Sequence, residues 1–182
     1  MFSFPTIIVG AALLVAVYTD IREQRIHNWL TFSVAIVGIA FHGLTEGVDG
    51  LSFAFSGLGL GLAVMILPYL LGFMGGGDVK LMAAIGACLG ASDIFTAFLF
   101  TSFAGGAYAL GVLLFRMDLF RQVMRNLWTA LWLFSTTRKM EYAPVVDNLG
   151  ETRTMPRLCY GVAIAVGTVT AMVWSRHMGN LF

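Results

Sequence analysis

Two carboxylates stand in this sequence where carboxylates are costly. Asp20 closes an apolar run in Tyr18-Thr19-Asp20-Ile21-Arg22, and Asp78 opens another in Gly75-Gly76-Gly77-Asp78-Val79-Lys80-Leu81. A charged side chain at mid-membrane costs on the order of 2.5–3.5 kcal/mol on insertion scales, and less near the interface, so such residues are candidate functional groups by default. If the two face each other they share a proton, because like charges a few ångströms apart do not both ionise easily. One is then an acid and the other a base. The ionised member can draw a proton from water while the protonated member donates to a carbonyl, which is peptide hydrolysis without nucleophile, metal or cofactor. Gly75-Gly76-Gly77 suits that chemistry, since three residues without Cβ let the backbone turn sharply and admit an extended strand beside Asp78. A plainer reading of the same four residues, a flexible turn with an N-cap aspartate, stays open on those residues alone.

The elements that would hold these acids follow from composition. With 58% hydrophobic and 12% charged residues among 182, the chain cannot hide its apolar surface in one soluble core, so its solvent is lipid. Six apolar runs stand out, at about 2–18, 29–44, 51–73, 79–90, 94–115 and 159–174. Most approach the roughly 17–25 residues that a membrane-crossing helix needs. None alternates polar with apolar residues as a barrel strand does, so the expected class is an all-α membrane protein with six transmembrane helices. The run 79–90 is the weakest span, because its rise of about 18 Å falls short of a hydrocarbon core of about 30 Å. It is either a short crossing or a re-entrant or core helix. The first run has no basic residue ahead of it and no small-residue cleavage site, which favours a span over a removable signal.

Basic residues fix the orientation. If all six runs cross, Arg22, Arg25, Lys80, Arg116, Arg121, Arg125, Arg138, Lys139, Arg153 and Arg157 share one side and only Arg176 lies opposite, ten of eleven. Both termini then face outward, as do short loops carrying Glu46, Asp49 and Asp93, and both Asp20 and Asp78 sit at the cytoplasmic face. The polar segment 116–158 is a cytoplasmic loop. Its stretch 117–134 sets Leu119, Val123, Leu127, Leu131 and Phe134 opposite Arg121 and Arg125, as an amphipathic helix at the interface does, with Trp128 and Trp132 at headgroup level. No repeat or second domain is evident, so 1–182 reads as one membrane domain. Cys88 and Cys159 lie inside spans and are too few for a zinc site. The three His have no HExxH spacing and no Ser stands in a GxSxG context, so neither a metal nor a serine nucleophile is expected. No cofactor and no nucleic-acid partner is indicated.

Gly75-Gly76-Gly77-Asp78-Val79-Lys80-Leu81 resembles the GxGDxKL signature of the type IV prepilin peptidases, which are GxGD aspartic proteases. Asp20 through Asn28 resembles that family's earlier D-x5-I-P-N element, and Tyr160-Gly161 resembles the Tyr-Gly pair that opens its last span. The resemblance covers nearly the whole chain and is greatest to the short, Flp/Tad-pilus (CpaA/TadV-like) form. It implies cleavage of a basic leader from prepilins, after a glycine, at the cytoplasmic face of the bacterial inner membrane, with Asp20 and Asp78 catalytic and the pilus-assembly machinery as a further partner. The larger peptidases carry a four-cysteine segment that accompanies N-methylation. This chain has two cysteines, which implies peptidase without methyltransferase activity. Two positions depart from the pattern, His27 and Cys159, where the family often has proline, so the approach of those spans can differ.

Gly75, Gly77, Lys80, Asn28, Tyr160 and Gly161 support the acids in this reading. Asn28 is expected to N-cap the second span, Lys80 to snorkel to the interface or act on an acid, and Pro68 to kink the third span. Gly57, Gly59 and Gly61, together with Gly86 and Gly90, read as close helix-packing faces. Rival functions are a small proton- or cation-coupled transporter using the same two acids, another GxGD protease similar to presenilin or signal peptide peptidase, and a non-catalytic assembly subunit.

Overall fold

The computed structural model describes residues 4–70, 74–115 and 160–179. Every regular element among them is α-helical: α1 (Phe4–Glu23), α2 (Asn28–Leu70), α3 (Gly76–Phe115) and α4 (Tyr160–Gly179). Among the described residues, three stretches are long and apolar enough to cross a membrane, Phe4–Glu23, Asn28–Leu70 and Gly76–Tyr108.

α1 runs past residue 18, where the first apolar run ends, and Asp20 lies in its last turn. Arg22 in that turn complements the helix dipole. The helix stops at Gln24, which takes a left-handed conformation (φ 51) and donates its N–H to the Asp20 carbonyl at 2.9 Å. This is the αL cap that glycine usually fills. The next helix begins at the His27 carbonyl, which accepts from the amides of Leu30 and Thr31 at 3.2 and 3.4 Å. His27 Nε2 meets Glu23 Oε2 at 3.2 Å, tying the end of α1 to the start of α2.

α2 and α3 correct the expected loops. Each is helical apart from a single glycine, Gly47 (φ 63, ψ −131) in α2 and Gly90 (φ 80, ψ 175) in α3. At both points the chain folds back. A Cβ on Gly43 would meet Leu51 Cδ2 at 2.9 Å, and one on Gly86 would meet Ile94 Cγ1 at 3.3 Å, whereas residues eight apart in a straight helix are about 12 Å apart. Glu46, Asp49 and Asp93 therefore flank sharp bends and do not sit in open loops. Backbone groups away from water must be paired within the chain, so helical bonding persists to within a residue or two of each bend. Pro68 is inside α2, but the non-helical residue there is Gly47.

The first arm of α3 is the core of the molecule. Every residue from Leu81 to Gly90 is buried, which explains how so short an arm, rising about 20 Å, is accommodated: it faces protein on all sides and needs no match to lipid thickness. Both arms of α2 lie against it through glycine. A Cβ on Gly57 would overlap the Gly86 carbonyl, one on Gly61 would lie 2.7 Å from the Met82 oxygen, and one on Gly38 would lie 2.7 Å from Cys88 Sγ. Gly59, expected in the same face, looks into open space. At the bend, His42 donates Nε2–H to the Cys88 carbonyl at 3.1 Å, with the Phe53 ring centred 4.8 Å away. α1 packs on α2 and α4, and α4 meets the second arm of α3 where Gly105 abuts the Tyr160 ring and Ser175 donates to Asp93 at 2.9 Å. The expected interfacial helix at 117–134, the loop to 158, Trp128, Trp132 and Cys159 lie outside the described residues.

Candidate active site

Asp20 comes from the last turn of α1 and Asp78 from the first turn of α3, and both are almost wholly buried, at 6% and 8% exposed. Though far apart in sequence, the two carboxylates are close enough to feel each other's charge. Two contacts bring them together. The α1–α2 turn rests on the start of α3, where a Cβ on Gly77 would lie 3.0 Å from Ile26 Cβ and 3.1 Å from its carbonyl oxygen. On the other side, α1 lies against α4.

Each carboxylate is fixed by a main-chain amide of a glycine. The Gly75 N–H donates to Asp78 Oδ2 at 3.0 Å, while the Asp78 N–H returns a bond to the Gly75 carbonyl at 3.1 Å. Asp78 is thus not the N-cap of α3 but the third helical residue reaching back to the cap, half of a capping box. The Gly161 N–H donates to Asp20 Oδ2 at 2.8 Å, across 141 positions of sequence. Next to it, Tyr160 is half-buried and within electrostatic reach of Asp78. Its hydroxyl fits because Gly105 has no side chain: a Cβ there would lie 2.9 Å from Tyr160 Oη.

Asp20, Asp78, Gly75, Tyr160 and Gly161 therefore gather at one place, with Gly77 at its edge. Lys80 and Asn28 bind each other beside it. Lys80 Nζ donates to Asn28 Oδ1 at 2.9 Å and lies 5.8 Å from the centre of the Phe32 ring, so Asn28 accepts from Lys80 and does not cap α2. Gly105 is not marked by the sequence, and Ile26 is marked there only as part of the Asp20–Asn28 element. A glycine inside an apolar helix is the signal that could have marked Gly105, but its partner is not in local sequence. Among the described residues, no three His, Cys, Asp or Glu side chains are grouped to hold a metal.

A model of the type IV leader peptidase family matches residues 7–110, more than half of the chain. The chain belongs to this family. Both acids of this leader peptidase relative fall within the matched stretch, whereas Tyr160 and Gly161 lie beyond it. The chain is also similar to prepilin peptidase EppA of Methanococcus maripaludis, 29% identical over an alignment of 167 positions that covers 85% of this chain and 45% of that protein. It thus spans about half the length of the curated relative it matches. No solved structure matches it significantly.

Proposed function

We propose that this type IV leader peptidase family member is a membrane aspartic endopeptidase that removes leader peptides from prepilins, with Asp20 and Asp78 as its catalytic pair. The observation that carries the reading is that two buried acids from distant helices lie within each other's field, each oriented by a glycine amide. In this mechanism the pair holds one proton. The ionised carboxylate takes a proton from water as the water oxygen bonds to the scissile carbonyl carbon, and the protonated carboxyl donates to the carbonyl oxygen. The tetrahedral diol then breaks its C–N bond as one of its hydroxyl protons passes to the ionised carboxylate and the protonated carboxyl gives its proton to the departing amine, so the pair again holds one proton. No covalent enzyme intermediate forms.

The six helical arms, separated by the bends at Gly47 and Gly90, support a six-span topology in the cytoplasmic membrane. If all six arms cross, ten of the eleven basic residues fall on one side, which supports an active site facing the cytoplasm. The substrate on this reading has a basic leader ahead of an apolar helix, as in pilins of the Flp type, and the product is not methylated. Co-expression with such a prepilin, followed by intact mass of the product, tests the assignment. The mature mass is expected with the wild type and absent with Asp20→Asn and Asp78→Asn. Cleavage surviving in either variant would remove the carboxylate pair from the mechanism, and ion flux in vesicles that depends on both acids, without cleavage, would favour a transporter. A methylated product made by the purified protein and a methyl donor would overturn the peptidase-only assignment.

A further inference from the structure

The start of α4 contributes more to this site than helix packing. α4 is described from Tyr160 onward, and the Gly161 N–H lies in its first described turn. In an apolar surrounding such an amide must find an acceptor, and it finds Asp20 Oδ2 at 2.8 Å. The fit depends on the absence of a side chain. A Cβ on residue 161 would lie 2.8 Å from that same oxygen and 3.2 Å from both Asp20 Cβ and Cγ. Any residue other than glycine must therefore push the carboxylate away from where it stands. The neighbouring Tyr160 lies within electrostatic reach of Asp78, so the first two residues of α4 bear on one acid each.

We propose that Gly161 is a positioning residue: its amide sets the orientation of the Asp20 carboxylate, and α4 thereby completes a catalytic pair whose two acids come from α1 and α3. The assignment rests on the peptidase reading. Asp78 takes its amide from Gly75, three residues away in its own helix turn. Asp20 takes its amide from a separate helix, so its orientation depends on how α4 is seated.

The decisive perturbation removes the N–H without adding atoms, by replacing Gly161 with glycolic acid so that an ester stands in place of the amide. Charge-assisted bonds of this kind correspond to a loss of about 10- to 100-fold in kcat. KM should stay within about twofold, because the substrate is not touched by this amide. A role in packing alone would instead leave the kcat of the folded protein unchanged. Gly161→Ala keeps the N–H but displaces the carboxylate, and the same split between kcat and KM is expected; it carries the test if the ester chain does not accumulate. Gly59→Ala, at a position where a methyl meets nothing within 4 Å, is the control and should match wild type. Wild-type kcat in either the ester or the Gly161→Ala protein overturns the proposal. Asp20→Asn in the same assay separates the two levels: if it cleaves normally the peptidase reading fails, and if it is inactive while the ester protein is fully active, only the role of Gly161 fails.

Discussion

The contact between α2 and α3 supports a graded test. Gly57 and Gly86 face each other so closely that a methyl on Gly57 would overlap the Gly86 carbonyl oxygen and lie 2.8 Å from its carbon and from Gly90 Cα. A methyl on Gly86 would in turn overlap the Gly57 carbonyl oxygen. These are backbone atoms at the centre of the bundle, so no rotamer change relieves the clash and the helices must part by more than about 1 Å to regain contact near 3.5 Å. Overpacking of this kind costs about 1–3 kcal/mol, and Gly57→Ala should fall at the upper end. Gly61→Ala, with its methyl 2.7 Å from the Met82 oxygen, should cost roughly 1–2 kcal/mol. Gly59→Ala meets nothing and should be neutral, or stabilising by up to about 0.5–1 kcal/mol through helix propensity. Tryptophan fluorescence during thermal unfolding in detergent reads the series, and a loss of about 3 kcal/mol corresponds to a Tm lower by roughly 6–12 °C. Because Gly57 and Gly86 share one contact, parting the helices for the first methyl makes room for the second. The Gly57→Ala/Gly86→Ala double variant should then lose much less than the sum of the singles. Additive losses, or a Gly57→Ala protein as stable as wild type, would refute the close crossing.

Replacing His42 by Phe keeps a ring beside Phe53 but strips the donor from the buried Cys88 carbonyl, and should cost about 1–3 kcal/mol in the same unfolding assay. The left-handed cap at Gln24 predicts that Gln24→Val destabilises by about 1–2 kcal/mol while Gln24→Asn or Gln24→Gly is tolerated. Lys80→Met and Asn28→Ala each break an exposed bond, so a double-mutant cycle should return a coupling below about 1 kcal/mol. Gly77→Ala would press a methyl to 3.0 Å from Ile26 Cβ, shifting the α1–α2 turn against α3 by a few tenths of an ångström, and on the peptidase proposal should lower leader-peptide cleavage about three- to tenfold, since a 1 Å misplacement costs about 100-fold.

The helical class and the two acids were legible because lipid burial leaves an unmistakable compositional mark and because an ionisable group beside an apolar run has few bland explanations. Gly57, Gly61 and Gly86 were legible for a similar reason: small residues at helical spacing in apolar sequence exist to let backbones approach. The bends at Gly47 and Gly90 were less so. Glu46, Asp49 and Asp93 look like loop residues by polarity, yet helical hydrogen bonding outweighs that preference and a single glycine in a positive-φ conformation makes the turn. Asn28 has an N-cap composition, but its partner is Lys80, 52 positions away, and no local pattern encodes that. The Tyr160-Gly161 pair was visible as a motif, while its reason, an amide and an empty Cβ position aimed at Asp20, required the tertiary arrangement.

The two acids differ in when they can be secured during synthesis. Asp78 meets its amide within the same turn, almost as soon as that turn winds. Asp20 meets the Gly161 amide only after a residue 141 positions later has been translated. On the proposed peptidase reading, the catalytic pair is therefore complete only once α4 has been inserted.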